Sequence, residues 1–131
     1  MKKDIEYEAD IEMLVNSFYS AVKQDDVIGH IFNTIIGDDW SGHLPVMYKF
    51  WGSVLLSKPG YTGNPIKKHV ELDKIIPVSK EHFERWLLIW NTTVDELFEG
   101  EVAELAKTRA GLMANLINIK IESARTGLGL A

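Results

Sequence analysis

The sequence predicts an all-α fold, and three observations carry that expectation. Four long segments place apolar residues at spacings of three and four, the period of a helix face. No run alternates apolar and polar residues as a half-buried strand would. The glycines and prolines that break structure gather between those segments, above all in Ser57-Lys-Pro-Gly-Tyr-Thr-Gly-Asn-Pro65. At 131 residues the chain reads as one domain over 1–131, with frayed ends at about 1–7 and 126–131.

The first helix is expected from about Glu8 to Gln24, where Ile11, Leu14, Val15, Phe18 and Val22 form one stripe. Tyr19 lies at the edge of that stripe, so its ring can be buried while its hydroxyl seeks a partner. Asp25-Asp26 reads as a turn, and Val27 to Ile36 as short helical turns broken by Gly29. Gly37-Asp38-Asp39 closes that section. A second long helix runs from Trp40-Ser41 to about Leu56, with Pro45 in its first turn, where a missing N–H costs little. It has two apolar stripes, His43/Met47/Phe50/Val54 and Leu44/Tyr48/Trp51/Leu55. A surface helix needs only one such face, so this one is expected to be sandwiched.

After the loop, Pro65 opens a short helix that carries Lys68, His69 and Leu72, and Ile76-Pro77-Val78 makes a second break. Ser79 is placed as an N-cap, with Glu81 in the first turn of a helix over about Lys80 to Gly100. That helix should bury Phe83, Trp86, Leu87, Trp90, Val94 and Leu97. The last helix, about Glu101 to Arg125, offers Val102, Leu105, Leu112, Leu116 and Ile119 as its apolar positions.

Composition excludes several functions. Net charge is -5 and basic residues pair only as Lys2-Lys3 and Lys67-Lys68, so nucleic acid is not expected as a partner. The absence of cysteine removes disulfides, thiolate metal sites, iron–sulfur clusters and any Cys–His nucleophile. The start of the chain turns acidic at once, without an apolar signal core, and no apolar run approaches a membrane span. A cytoplasmic protein without a membrane partner is therefore expected. Glu-x-x-His, His-Glu-x-x-His, P-loop and Gly-x-Gly-x-x-Gly patterns are all missing, which weakens di-iron, zinc and nucleotide readings.

Four histidines remain: His30, His43, His69 and His82. His82 lies three residues after the Ser79 cap and is most simply a packing or capping residue, and His30 is equally bland. His43 heads the two-striped helix, and His69 follows a loop that could swing its helix opposite that face. From the residues alone, a structural role is still the more common fate of each. Spacing and composition support an all-α domain with room for an apolar ligand.

The chain resembles a truncated haemoglobin, most closely the third group of that family, from about Ile11 to the last helix. The markers are Phe18-Tyr19, Gly29-His-Ile-Phe32-Asn, and Asp39-Trp-Ser-Gly-His43-Leu-Pro-Val-Met47-Tyr-Lys-Phe50-Trp51. They continue through Tyr61-Thr-Gly-Asn-Pro65, His69-Val-Glu-Leu72 and Glu81-His-Phe83-Glu-Arg-Trp86-Leu, in order and at compatible separations. The resemblance implies a shortened globin, two helices on two, around a haem b. Without cysteine, that haem is held non-covalently.

Position by position, the resemblance makes His69 the proximal iron ligand and His43 the histidine of the distal helix. It makes Phe32 an aromatic on the haem face, and Tyr19 and Trp86 distal polar residues. Lys68 and Tyr61 are implied to reach the haem propionates, with Met47, Phe50, Val54, Leu72 and Phe83 lining the pocket. His82 is a poor proximal candidate because it lies one turn from Trp86 on the same helix.

The implied ligands are O2, NO and CO, with cyanide or peroxide as further ones, and turnover would need an external electron donor. Strong retention by Tyr19 and Trp86, with His43 either a third donor or a gate at the pocket mouth, points to nitric oxide dioxygenase-like or peroxidase-like chemistry rather than oxygen delivery. The rival expectation is a haem-free globin-like sensor or interaction module.

Overall fold

The computed structural model describes residues 2–37 and 40–126, leaving aside the side chain of Ile66. Asp38 and Asp39, expected with Gly37 to close the section before Trp40, and the tail after Thr126 lie outside the described residues. Six helices and no strand occur among them: α1 (Glu8–Lys23), α2 (Gly29–Ile36), α3 (His43–Leu56), α4 (Pro65–Asp73), α5 (Lys80–Leu97) and α6 (Glu101–Thr126). The main packings are α1 on α2, α3 and α5, α6 on α5 and α4, and a smaller contact of α3 with α6.

α1 buries the expected stripe, with Leu14, Val15 and Val22 wholly inside. Residues expected as interrupted turns form one helix, α2, and Gly29 starts it rather than breaking it. A Cβ at Gly29 would lie 2.9 Å from the Val22 carbonyl oxygen, so glycine lets α2 begin hard against the end of α1. Asp25 organises that corner. Its carboxylate accepts from the Val27 and Ile28 amides, both at 3.0 Å, and from Arg85 Nε of α5 at 2.8 Å.

The start of the chain, expected to fray over 1–7, is tied down from Lys3 onward. Ile5 is buried, and Asp4 accepts from the Val102 and Ala103 amides at 3.0 and 2.9 Å. Those are orphan donors at the start of α6, so a residue distant in sequence caps this helix. Gly100, at φ 144°, lets it approach, since a Cβ there would come within 2.7 Å of Asp4 Cβ.

α6 turns a different face inward from the one its leucines predict. Leu112, Leu116 and Ile119 are exposed, and only Val102 and Leu105 of that set pack on the core. The buried face is Ala103, Ala106, Ala110, Ala114, Ile117 and Ile121. The reason lies on α5. Trp90 is fully buried and donates its indole N–H to the Ala106 carbonyl at 3.1 Å. A large ring on one helix demands small side chains on the other for the backbones to come this close.

Candidate functional site

His43 and His69 stand on helices held by different neighbours. α3 packs on α1, with a hydrogen bond from Tyr48 to Asn16 of α1, and its buried Trp51 stacks on Trp90 of α5 at 4.3 Å. Of its other stripe, His43, Met47, Phe50 and Val54, only Phe50 is buried, and His43 meets the Tyr19 ring of α1. α4 is seated on α6. Asn64 caps α4 by accepting from the Lys67 amide at 3.1 Å, and Pro65 fills its first position. At its other end Asp73 binds Arg125 Nε of α6 at 2.9 Å, and Arg125 also donates to the Val78 carbonyl at 3.0 Å.

The state of His69 follows from its surroundings. Its Nδ1 lies 2.6 Å from the Pro65 carbonyl oxygen, one turn back on α4. A carbonyl can only accept, so Nδ1 carries the proton and Nε2 keeps its lone pair. Burial holds the imidazole below its ordinary pKa against the opposing pull of that bond, so it is neutral at pH 7. A neutral imidazole whose second nitrogen is fixed by an acceptor is in the state in which histidines bind metals.

His43 answers it from α3. Its pKa is also depressed, first by burial and then by the charges of Lys68 and His69, which places both within electrostatic reach. Its Nε2 is buried without a hydrogen-bond partner among the described residues. Beside it, the Tyr19 ring is 5.1 Å away, centre to centre, and nearly perpendicular. Tyr19 is 6% exposed, and burial pushes its hydroxyl well above the usual range, so it stays a proton donor. No hydrogen bond engages that hydroxyl among the described residues. A buried polar atom left unpaired, as His43 Nε2 is, is costly and signals a missing partner.

The other expected residues divide by place. Phe32 touches the Tyr19 ring at 5.9 Å. Phe50 packs edge-on against Tyr61 at 5.0 Å, beyond the end of α3, and burial raises the Tyr61 hydroxyl. Met47, Val54 and Trp86 are half-buried against the core, Leu72 and Phe83 are half-buried outside it, and Lys68 is exposed. Trp86 does not meet Tyr19 directly. Phe18 stands between them, 4.9 Å from Tyr19 and 5.5 Å from Trp86.

Two contributors were not singled out from the sequence. Trp40, buried, contacts the Tyr19 ring at 5.2 Å and the His43 ring at 5.8 Å, and Lys23 sits over its outer face at 4.5 Å. Phe18, read only as core, is the wedge just described. Trp40 stands three residues before His43, one turn away on the approach to α3, which was a usable signal. His82 caps α5 as expected, its Nδ1 accepting from the Ser79 amide at 3.0 Å, and its ring lies 6.4 Å from that of exposed His30. No cluster of three or more metal-binding side chains occurs among the described residues.

An all-α chain that sets a neutral histidine against a second histidine and a buried tyrosine has the makings of a helical protein for a planar metal cofactor. The comparisons define it further: residues 3–120 match the family model for bacterial-like globins, and the chain belongs to that family. It is 31% identical over 118 residues to group 3 truncated hemoglobin ctb of Campylobacter jejuni, covering 88% of this chain and 91% of the relative. The crystal structure of group III truncated hemoglobin from Campylobacter jejuni superposes with a TM-score of 0.84 at 30% identity, over 92% of this chain and 95% of that one. The all-α globin fold and the group III resemblance stand on these findings. Membership of the family makes this a haem-binding protein of the ligand-binding kind.

Proposed function

We propose that His69 is the proximal ligand of a non-covalently held haem b, and that Tyr19, His43 and Trp86 act on a diatomic ligand at the other side of the pocket. One observation carries this reading. The Nδ1–H of His69 is committed to the Pro65 carbonyl at 2.6 Å, leaving Nε2 free on a neutral ring. The donor set fits a haem: one imidazole for iron, apolar side chains for the ring, and cationic and phenolic groups for its carboxylates. Phe32, Met47, Phe50, Val54, Leu72 and Phe83 would be the apolar lining, and Lys68 and Tyr61 would hold the propionates. When bound, ferrous haem supplies reversible binding of O2, NO and CO and a site for cyanide or peroxide.

The chain's own residues decide how such a ligand is treated. The Tyr19 O–H and the Trp86 indole N–H can donate to a ligand that gathers negative charge, and the indole can do nothing else. Neutral His43 donates from one nitrogen, and its place beside Tyr19 lets both act on one ligand. Donors fixed in a dry pocket stabilise developing charge strongly. They retain O2 and polarise O–O bonds, which favours oxygen/nitric oxide or peroxide chemistry over delivery. Electrons then come from a separate donor, since the chain has no nucleotide-binding glycine pattern.

The test is the absorption spectrum of the purified protein with and without added hemin, in wild type and His69→Ala. Uptake in the wild type with altered axial-ligand bands in the variant is expected. A protein that stays colourless with hemin would leave the haem-free sensor or interaction module as the better account. A spectrum unchanged in His69→Ala would reject the axial assignment alone.

A further inference from the structure

α1, α3, α5 and α6 are each fixed by side chains buried in the core, and α4 is held differently. Leaving aside the side chain of Ile66, no residue of α4 is buried: Pro65, His69, Val70, Leu72 and Asp73 are half-buried and the rest are exposed. Few buried apolar contacts make a helix easy to shift. The cap of α4 is local, since Asn64 accepts from the Lys67 amide within the same turn. The His69 bond is local too, reaching the Pro65 carbonyl four residues back. Neither sets how α4 stands against the rest of the chain. The last residue of the helix does reach outward. Asp73 accepts from Arg125 Nε at 2.9 Å, from Arg125 Nη2, and from the Val78 amide at 2.8 Å. Arg125 Nη2 also donates to the Val78 carbonyl at 3.0 Å, closing a ring of bonds between the end of α4, the end of α6 and the connector before α5. A guanidinium fork on one carboxylate fixes orientation as well as distance.

We propose that Arg125 is a positioning residue for His69: by gripping Asp73 it holds α4, and the histidine on it, in one orientation. The inference rests on the haem reading for the identity of what His69 binds. His69 and Asp73 are four residues apart, so they share a face of α4 and lie about 6 Å apart along its axis. Turning or sliding the Asp73 end therefore carries the imidazole with it, and the Pro65 bond, internal to the helix, moves too. A functional side chain has to be held to within about 0.5 Å of its working geometry, and a half-buried helix alone does not supply that. With Arg125 gone, a carboxylate side chain only 9% exposed keeps the Val78 amide as its donor, so it turns to water and draws the end of α4 outward. The same ring of bonds holds both backbone groups of Val78, the residue before the Ser79 cap, and so fixes where α5 begins.

The test compares Arg125→Ala, Arg125→Lys and Asp73→Asn in the full chain, with Arg109→Ala as a control that removes the same charge from an exposed position of α6. Amide hydrogen exchange, read before and after hemin addition, should run about tenfold faster over α4 in Arg125→Ala and Asp73→Asn. Exchange over α1 should stay at the wild-type rate. In the ferrous haem protein, Arg125→Ala should shift or broaden the iron–histidine stretching band seen by resonance Raman. Hemin should also pass to excess apomyoglobin about tenfold faster. Arg125→Lys keeps the charge but not the fork, so it should restore exchange and the band only in part. Wild-type exchange over α4 in Arg125→Ala overturns the proposal, as does an equal effect of Arg109→Ala. Faster exchange with an unchanged iron–histidine band and unchanged hemin loss also overturns it, and leaves the pair a structural tie. A chain that takes up no hemin sinks the haem reading. The positioning role is then upheld by His69 ring NMR signals that change in Arg125→Ala but not in Arg109→Ala, and overturned if they stay as in wild type.

Discussion

Replacing Tyr19 with phenylalanine isolates one hydroxyl. The ring is enclosed by Phe18, Phe32, Trp40 and His43, with centroids 4.9 to 5.9 Å away, and phenylalanine keeps all of these contacts. The hydroxyl makes no hydrogen bond among the described residues, so its loss should leave folding stability within about 0.5 kcal/mol of wild type. Its contribution appears only when a ligand gathers charge beside it. A hydrogen bond to a charged acceptor is worth about 1.5–3 kcal/mol, and each 1.4 kcal/mol is a factor of about ten. Tyr19→Phe should therefore speed O2 dissociation by roughly 10- to 150-fold. Stopped-flow displacement of O2 by CO reads this directly, and CO, which gathers less charge, should be released at a rate much closer to wild type. Trp86→Phe should act in the same direction. O2 off-rates unchanged in both variants would refute the donor assignment, whatever happens to affinity.

Three further outcomes follow. Acid should release the haem: burial sets the His69 pKa below 6.5, so the imidazole stays a neutral ligand at pH 7 and protonates only below that value. The unfolded state takes up that proton first, so folding stability also falls as pH drops through this range, and haem absorbance and circular dichroism should report both losses. Trp40→Ala should change O2 off-rates more than it alters hemin uptake, because the Trp40 ring braces Tyr19 and His43; identical O2 off-rates in Trp40→Ala and wild type would reject that bracing role. On α6, Ala110→Leu should cost about 1–3 kcal/mol in chemical denaturation by overpacking, whereas Leu112→Ser should stay within about 0.5 kcal/mol because Leu112 is exposed.

Much of the fold was legible because its signals are local. The stripe of α1, the Asn64-Pro65 and Ser79 starts, and the loop over Ser57–Pro65 depend on a few adjacent residues, and they recur in the structure with shifts of a few residues at the ends. His69 was legible as a candidate for the same reason, since its helix and its bond to the Pro65 carbonyl lie within one turn. Gly29 was misread because the sequence shows a flexible residue but not the Val22 carbonyl pressed against it.

The sequence by itself determined the helical class, the lack of cysteine chemistry, and which side chains were available as ligands and donors. Tertiary structure alone decided which of them meet. Leucine outranks alanine on any hydrophobicity scale, yet α6 buries its alanines because Trp90 already occupies the space between α5 and α6. In the same way, Phe18 separates Trp86 from Tyr19, while Trp40 and His43 close on it. Volume is shared between segments distant in the chain, and periodicity within one segment carries no record of what its neighbour has filled.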